Sequence, residues 1–299
     1  MSWETLARLW LHEPDPRSLE TAREIESLAP HIGNAAELST AYTELFLLNV
    51  YPYGTVFTDP SGELNAPSAW QTSRRYEVSG YSPPELSEVG APDHAGLCLG
   101  FLDHLDANGE KDPEFSSLLL SWLPICCLAV EREPAAHSFY RALAALTRAR
   151  LLEEASACSG PPPESPEEEP EEEVRLADIV RYLLAPARSG LFLSRSKLGG
   201  IARTAGMRIP FGSRWDVAET LFSAAGESDH APQVLKLLQE EAAVWGEAYR
   251  RCSADQPAWA PFASRWLDRI GRTHRKLAGM REMVKNPPKL ELVDDGPLR

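Results

Sequence analysis

The sequence predicts an all-α protein: a helical bundle with an additional helical region at its C-terminal end. Three observations carry this. Apolar residues recur at three- and four-residue steps through most of the chain, no stretch alternates apolar and polar residues as a half-buried strand does, and turns are marked by Pro, Gly and Ser. With no strand to build a sheet, helix must pack on helix. A chain of 299 residues, 43% of them hydrophobic, can bury a substantial core.

In order along the chain, the first helical pattern spans 34–50. Residues 51–90 are rich in Pro, Gly and Ser and predict an extended excursion with one short helix at 69–78. Helices follow at 93–108, 114–130 and 135–155. In the first of these, Leu97, Phe101, Leu102 and Leu105 share a face that excludes Asp103 and Asp106.

Residues 159–173, SGPPPESPEEEPEEE, combine prolines that lack a donor N–H with seven mutually repelling glutamates, a composition that predicts a linker. It separates a region at 1–158 from a second at 174–284. The last residues, 285–299, read as a loose tail. In the second region helices are expected at 174–184, 196–204, 214–225, 231–252 and 259–283, with turns at Ser189-Gly190, Gly206, Pro210 and Gly226. No fixed-period repeat is present, which argues against a solenoid.

The formal net charge of −14 works against general nucleic-acid binding and favours a cationic partner, although half of it comes from the seven linker glutamates. No apolar run approaches the roughly 20 residues of a membrane span. The opening Met1-Ser2-Trp3-Glu4 lacks the basic and apolar blocks of a signal peptide. A cytoplasmic protein without stable membrane insertion is therefore expected. Five cysteines, odd in number and without paired metal-site spacing, read as reduced thiols; Cys126 and Cys127, inside an apolar stretch, read as small buried hydrophobes.

No His-Glu-x-x-His, Gly-x-Ser-x-Gly or phosphate-cradling glycine loop occurs, so no catalysis is expected. His94 and His104, ten residues apart on one helix, do not converge on one ion. Neither a metal nor a cofactor is expected. Asp93 follows Pro92 and precedes a helix, where its carboxylate suits an N-cap. Beside the imidazole of His94 it also suits binding of an arginine or a backbone amide, and the two roles can coexist.

Tyr42-Thr43-Glu44-Leu45-Phe46 and, about fifty residues further on, Ala91-Pro92-Asp93-His94 resemble, in order and separation, two motifs of the TorD/DmsD/NarJ chaperones of molybdenum-cofactor oxidoreductases. Between them, Tyr51-Pro52-Tyr53 and the segment from Tyr76 to Gly80 resemble the family's connecting segment. Trp122-Leu123-Pro124 and Phe139-Tyr140 match longer members, so the resemblance covers roughly 36–154. The segment from Ser189 to Ser194 and Pro210-Phe211-Gly212 look like the C-terminal half of those longer members. One departure is that Ala91 and Pro92 stand where the family has a glutamate before the Asp-His pair, with Glu88 further back.

The resemblance implies a non-catalytic chaperone, monomeric or homodimeric, that binds the twin-arginine leader or the apo form of a molybdopterin oxidoreductase subunit. It would assist cofactor insertion and hold back export until that is complete. The family's Asp-His loop is linked to leader binding, so Asp93 and His94 are the first candidates. Tyr42, Phe46, Tyr76, Phe101 and Trp122 are candidates for an apolar groove, each with the core as its alternative. Two other readings stand beside this one. A helix-turn-helix at 193–207, with Arg195, Arg203, Arg208 and Arg214 nearby, would read DNA. A molybdenum-cofactor carrier would need a concave polar pocket that no linear motif reveals.

Overall fold

The computed structural model describes residues 2–155 and 175–286. Among them there is no strand, only an isolated bridge between Tyr53 and His94, and helices pack on helices throughout. The linker expected at 159–173 lies outside the described residues, as does the expected tail beyond Asn286.

Two helices that periodicity did not single out open the chain. Helix α1 (Trp3–Leu11) is capped by Ser2, whose Oγ accepts the Thr5 N–H at 3.3 Å, and α2 (Pro16–Arg23) is capped by Asp15. Each is short, and Pro14 and Pro16 interrupt any longer pattern. α1 buries Trp3, Leu6, Leu9 and Trp10 and packs along the later helix at 95–108.

The helix expected at 34–50 forms as α3 (Ala35–Tyr42), capped by Asn34, and runs into a π-helical turn over Thr43–Leu47. The excursion at 51–90 holds α4 (Gly54–Thr58), α5 (Trp70–Val78, the short helix expected there) and α6 (Leu86–Val89). α7 (Ala95–Asn108) ends at Gly109 in the left-handed conformation that favours glycine.

One expectation is corrected at 114–130, where a single helix was anticipated. The chain forms α8 (Pro113–Leu120) and α9 (Leu123–Arg132), broken at Ser121–Trp122. Pro124 cannot donate a backbone bond and suits the first turn of a new helix, not the middle of a continuing one. Against the expectation that no apolar run approaches a membrane span, Pro113–Arg132 taken together is apolar and long enough to cross one by length and composition, with mean hydropathy 1.5. In the structure most of that stretch is buried among the other helices.

α10 (Ser138–Ala155) completes the first region. After Arg175 come α11 (Leu176–Leu184), α12 (Pro186–Ser189), α13 (Arg195–Thr204) and α14 (Arg214–Glu227), then the long pair α15 (Ala231–Asp255) and α16 (Ala260–Lys285). The turn expected at Gly226 falls later, at 228–230. A reciprocal capping box between Ser213 and Asp216 starts α14, and the helix carries through the glycine.

Helices from both sides of the undescribed segment contribute to one apolar core. Phe57 stacks on Phe192 with centroids 5.3 Å apart, and the indole N–H groups of Trp259 and Trp266 donate to the carbonyls of Leu120 and Ser121, each at 3.0 Å. Those two carbonyls lie at the break between α8 and α9, so the late tryptophans satisfy acceptors that the interrupted helix leaves open.

Candidate functional site

The turn Ala91-Pro92-Asp93-His94 ties three segments together. His94 is the N-cap of α7: its Nδ1 accepts the Gly96 N–H at 3.1 Å. Asp93, expected to cap this helix, serves a different one. Its Oδ2 accepts the Thr55 N–H at 2.6 Å and its carbonyl accepts the Gly54 N–H at 2.9 Å, so it holds the first turn of α4. The physical reason is that α4 begins with no side-chain cap of its own, while α7 is already capped by the neighbouring imidazole.

The Ala95 N–H donates to Pro52 at 2.7 Å, the Tyr76 hydroxyl donates to the Pro92 carbonyl at 2.9 Å, and the rings of Tyr53 and His94 meet edge to face at 4.8 Å. Gly54 allows a close approach. A Cβ there would lie 3.1 Å from the Trp122 ring and 3.4 Å from the Asp93 carboxylate.

Both titratable members are buried, Asp93 at 3% and His94 at 4% relative exposure. Burial pushes the Asp93 carboxyl up, against the lowering effect of the Thr55 N–H. Burial, with the nearby His12, pushes His94 down to about 3. The imidazole is therefore neutral at physiological pH, as its accepting Nδ1 requires. Asp93 Oδ1 and Thr55 Oγ1 are buried without a hydrogen-bond partner.

The five aromatic candidates are also inside, between 0% and 8% exposed. Trp122 packs against Gly54 and stacks on Phe57, close to Asp93. Tyr76 and Phe101 meet at 4.9 Å in a cluster with Tyr81 and Phe115. Tyr42 and Phe46 belong to another cluster, with Trp10 and Tyr140, and the Tyr42 hydroxyl donates to the carbonyls of Trp10 and Leu11. The fold thus gathers Asp93, His94, Tyr76 and Trp122 around one turn, sets Phe101 behind Tyr76, and puts Tyr42 and Phe46 elsewhere.

An open groove of about 560 Å³ lies between α13, α15 and the 134–135 turn. Its apolar walls are Pro134, Ala135, Ile201, Leu237 and the exposed Val244, and Gly200 on α13 adds no side chain to fill it. Glu241 accepts from Arg132 at 2.9 Å and from Lys197 at 3.0 Å, while Glu240, at the solvent edge, pairs with Lys236 at 3.6 Å, and Arg203 also lines the groove. Sequence reasoning did not find this groove, because its walls come from three segments separated by many residues. The signal that existed was Leu237, Glu240, Glu241 and Val244 at helical spacing, a second face on α15.

Among the described residues no group of His, Cys, Asp and Glu is arranged to hold a metal ion. Cys98, Cys126, Cys127 and Cys252 are buried free thiols, and burial pushes each of them up. Arg214, which the helix-turn-helix reading would aim at phosphate, is buried instead. It donates to the Leu184 carbonyl at 3.0 Å, lies over the Phe192 ring, and is lowered by burial to about 10.

Residues 15–126 match the family described as nitrate reductase delta subunit. A comparison with curated proteins finds no match. The matched segment runs from the cap of α2 into α9, and all seven candidate residues fall within it.

Proposed function

We propose that this chain, a member of the NarJ/TorD-type chaperone family through residues 15–126, binds the twin-arginine leader of a molybdopterin oxidoreductase subunit and delays export until the cofactor is in place. The family consists of soluble, non-catalytic chaperones that act with molybdoenzyme subunits, and the proposal carries that role to one step, leader recognition, in the cytoplasm. The observation behind it is that the family match encloses the Asp93–His94 turn and every aromatic gathered around it.

A twin-arginine leader has a basic pair followed by a moderately apolar stretch, so its receptor needs carboxylates near an apolar trough. Asp93 and His94 are the proposed recognition residues, with Tyr42, Phe46, Tyr76, Phe101 and Trp122 as apolar support. Their burial means that a leader reaches Asp93 after the 52–55 segment lifts from the turn, a movement that frees the carboxylate from Thr55. The α13/α15 groove, open without any movement, is the proposed resting place of the leader's apolar stretch, with the Glu240 carboxylate at its edge exchanging its Lys236 partner for the basic pair.

The test is titration of the full chain with a fluorescent leader peptide, with the same peptide after Arg-to-Gln replacement of the pair, and with Asp93→Ala, His94→Ala and Val244→Asp variants. Binding that depends on the arginine pair supports the function. Unchanged affinity in both turn variants removes the turn from the site, unchanged affinity in the Val244 variant removes the groove, and no leader binding at all overturns the proposal.

A further inference from the structure

Four charged side chains line the α13/α15 groove, and three of them are matched by an opposite charge. Glu241 holds Arg132 at 2.9 Å and Lys197 at 3.0 Å, and Glu240 pairs with Lys236 at 3.6 Å. Behind the 134–135 turn, the buried Glu133 carboxylate accepts from the Ser196 hydroxyl and the Ala135 N–H. Arg203 is the fourth. It is exposed, and its guanidinium forms no ion pair among the described residues.

Two glycines in the preceding turn of α13 set where that guanidinium lies. A Cβ on Gly199 would be 3.4 Å from its Nη1, and one on Gly200 would be 3.9 Å from its Nη2. The side chain therefore folds back over a stretch of helix that carries no side chains, and Gly200 itself lines the groove. The neighbouring hydroxyls are engaged elsewhere: Thr204 Oγ1 donates to the Gly200 carbonyl at 2.9 Å, and Ser196 Oγ donates to Glu133. With Glu241 shared between two cations and Arg203 unmatched, the groove has a local positive excess in a chain of net charge −14.

We propose that Arg203 makes this groove selective for a peptide that carries a carboxylate among its apolar residues. The inference rests on the groove being the seat of the leader, and it adds a second contact of opposite sign. The basic pair takes Glu240 on the α15 edge, and an acidic side chain takes Arg203 on the α13 edge. A carboxylate brought to a free guanidinium accepts two parallel N–H bonds, and the apolar walls strengthen the attraction by excluding water. An uncharged residue at that place leaves Arg203 as it is in the free protein, and a cation is repelled. Lys197 does not substitute, because Glu241 already holds it. Arg203 lies six residues beyond Lys197, about 9 Å further along α13, so the acidic residue is separated from the basic pair along the peptide. The consequence is a groove that reads the direction of its occupant, since a reversed peptide brings like charges together at both edges.

The test is titration of the full chain with fluorescent leader peptides that share the basic pair and differ at one position, Glu, Gln or Lys, moved stepwise through the apolar stretch. At the position that meets Arg203, the Glu peptide should bind about two- to fivefold more tightly than the Gln peptide, as an exposed ion pair allows, and the Lys peptide should bind less tightly than either. Arg203→Glu should invert this order and Arg203→Gln should abolish it, the second variant deciding if the first does not fold. Roughly 0.5 M salt should shrink the difference. Equal affinities for the three peptides at every position, or an order that survives both Arg203 variants, would overturn the inference and leave leader binding itself standing. Binding by none of the peptides would overturn both.

Discussion

The Asp93 carboxylate accepts the Thr55 N–H at 2.6 Å across 38 residues of sequence, and the next residue, His94, caps the helix that Asp93 precedes. Two adjacent side chains thus start two different helices. The turn that the family resemblance singles out is, in this conformation, a buried junction between the 51–58 segment and α7.

Replacing Asp93 separates capping from charge. Asp93→Ala leaves the buried Thr55 N–H without an acceptor and should destabilise the chain by about 1–3 kcal/mol. Asp93→Asn keeps an acceptor and should lose clearly less. Urea midpoints at constant m-value measure both, and equal losses would mean that the bond to Thr55 is not what holds α4.

Stability should fall with acid through His94. Its folded value of about 3 is below the ordinary 6.5, so between those values the unfolded chain binds a proton that the folded chain refuses. The contribution is fully present above pH 6.5 and is lost as pH falls toward 3. Asp93, raised by burial, acts with the opposite sign: its contribution is present at low pH and is lost as pH rises through its folded value. His94→Asn retains a capping side chain and removes the histidine term. Its urea midpoint should decline less steeply than wild type between pH 6.5 and 4, and parallel declines would rule out the buried neutral imidazole.

Gly190 has φ +74, and a Cβ there would lie 2.6 Å from the Ile270 backbone nitrogen. Gly190→Ala combines left-handed backbone strain with overpacking against α16 and should cost roughly 2–5 kcal/mol. A thermal unfolding curve within a degree or two of wild type would contradict this account of how α12 seats on α16.

Val244 is 47% exposed in the groove wall. Val244→Asp should leave stability within about 0.5 kcal/mol, as surface substitutions do. It should weaken leader-peptide binding about tenfold, or about 1.4 kcal/mol. Loss of stability in parallel with loss of binding would assign the residue to packing.

Much of the helical framework was legible in the sequence. The patterns at 93–108, 196–204 and 231–252 return as α7, α13 and α15 with ends shifted by a few residues, because one buried face per helix is a local, periodic signal. α1 and α2 were not assigned because helices of nine and eight residues, separated by Pro14 and Pro16, carry too few turns of that signal. The break at Ser121–Trp122 was missed because apolar periodicity runs across it; Pro124 was the residue that marked it.

The candidate residues illustrate the other limit. Their identity came from motif order along the chain, but whether an aromatic at helical spacing lines a trough or a core depends on what covers it. For Tyr42 that cover is the end of α1, for Trp122 it is Gly54 and Phe57, and none of these neighbours is adjacent in sequence.

By itself the sequence determined the helical class, the positions of most helices and the kinship of residues 15–126, since each depends on residue type at short, fixed spacing. The tertiary structure alone decided that Asp93 serves α4, that the seven candidates are buried, and that an open groove lies between α13 and α15. The physical reason is that burial and hydrogen-bond partnership are set by which distant segments come together, and spacing along a chain does not encode that.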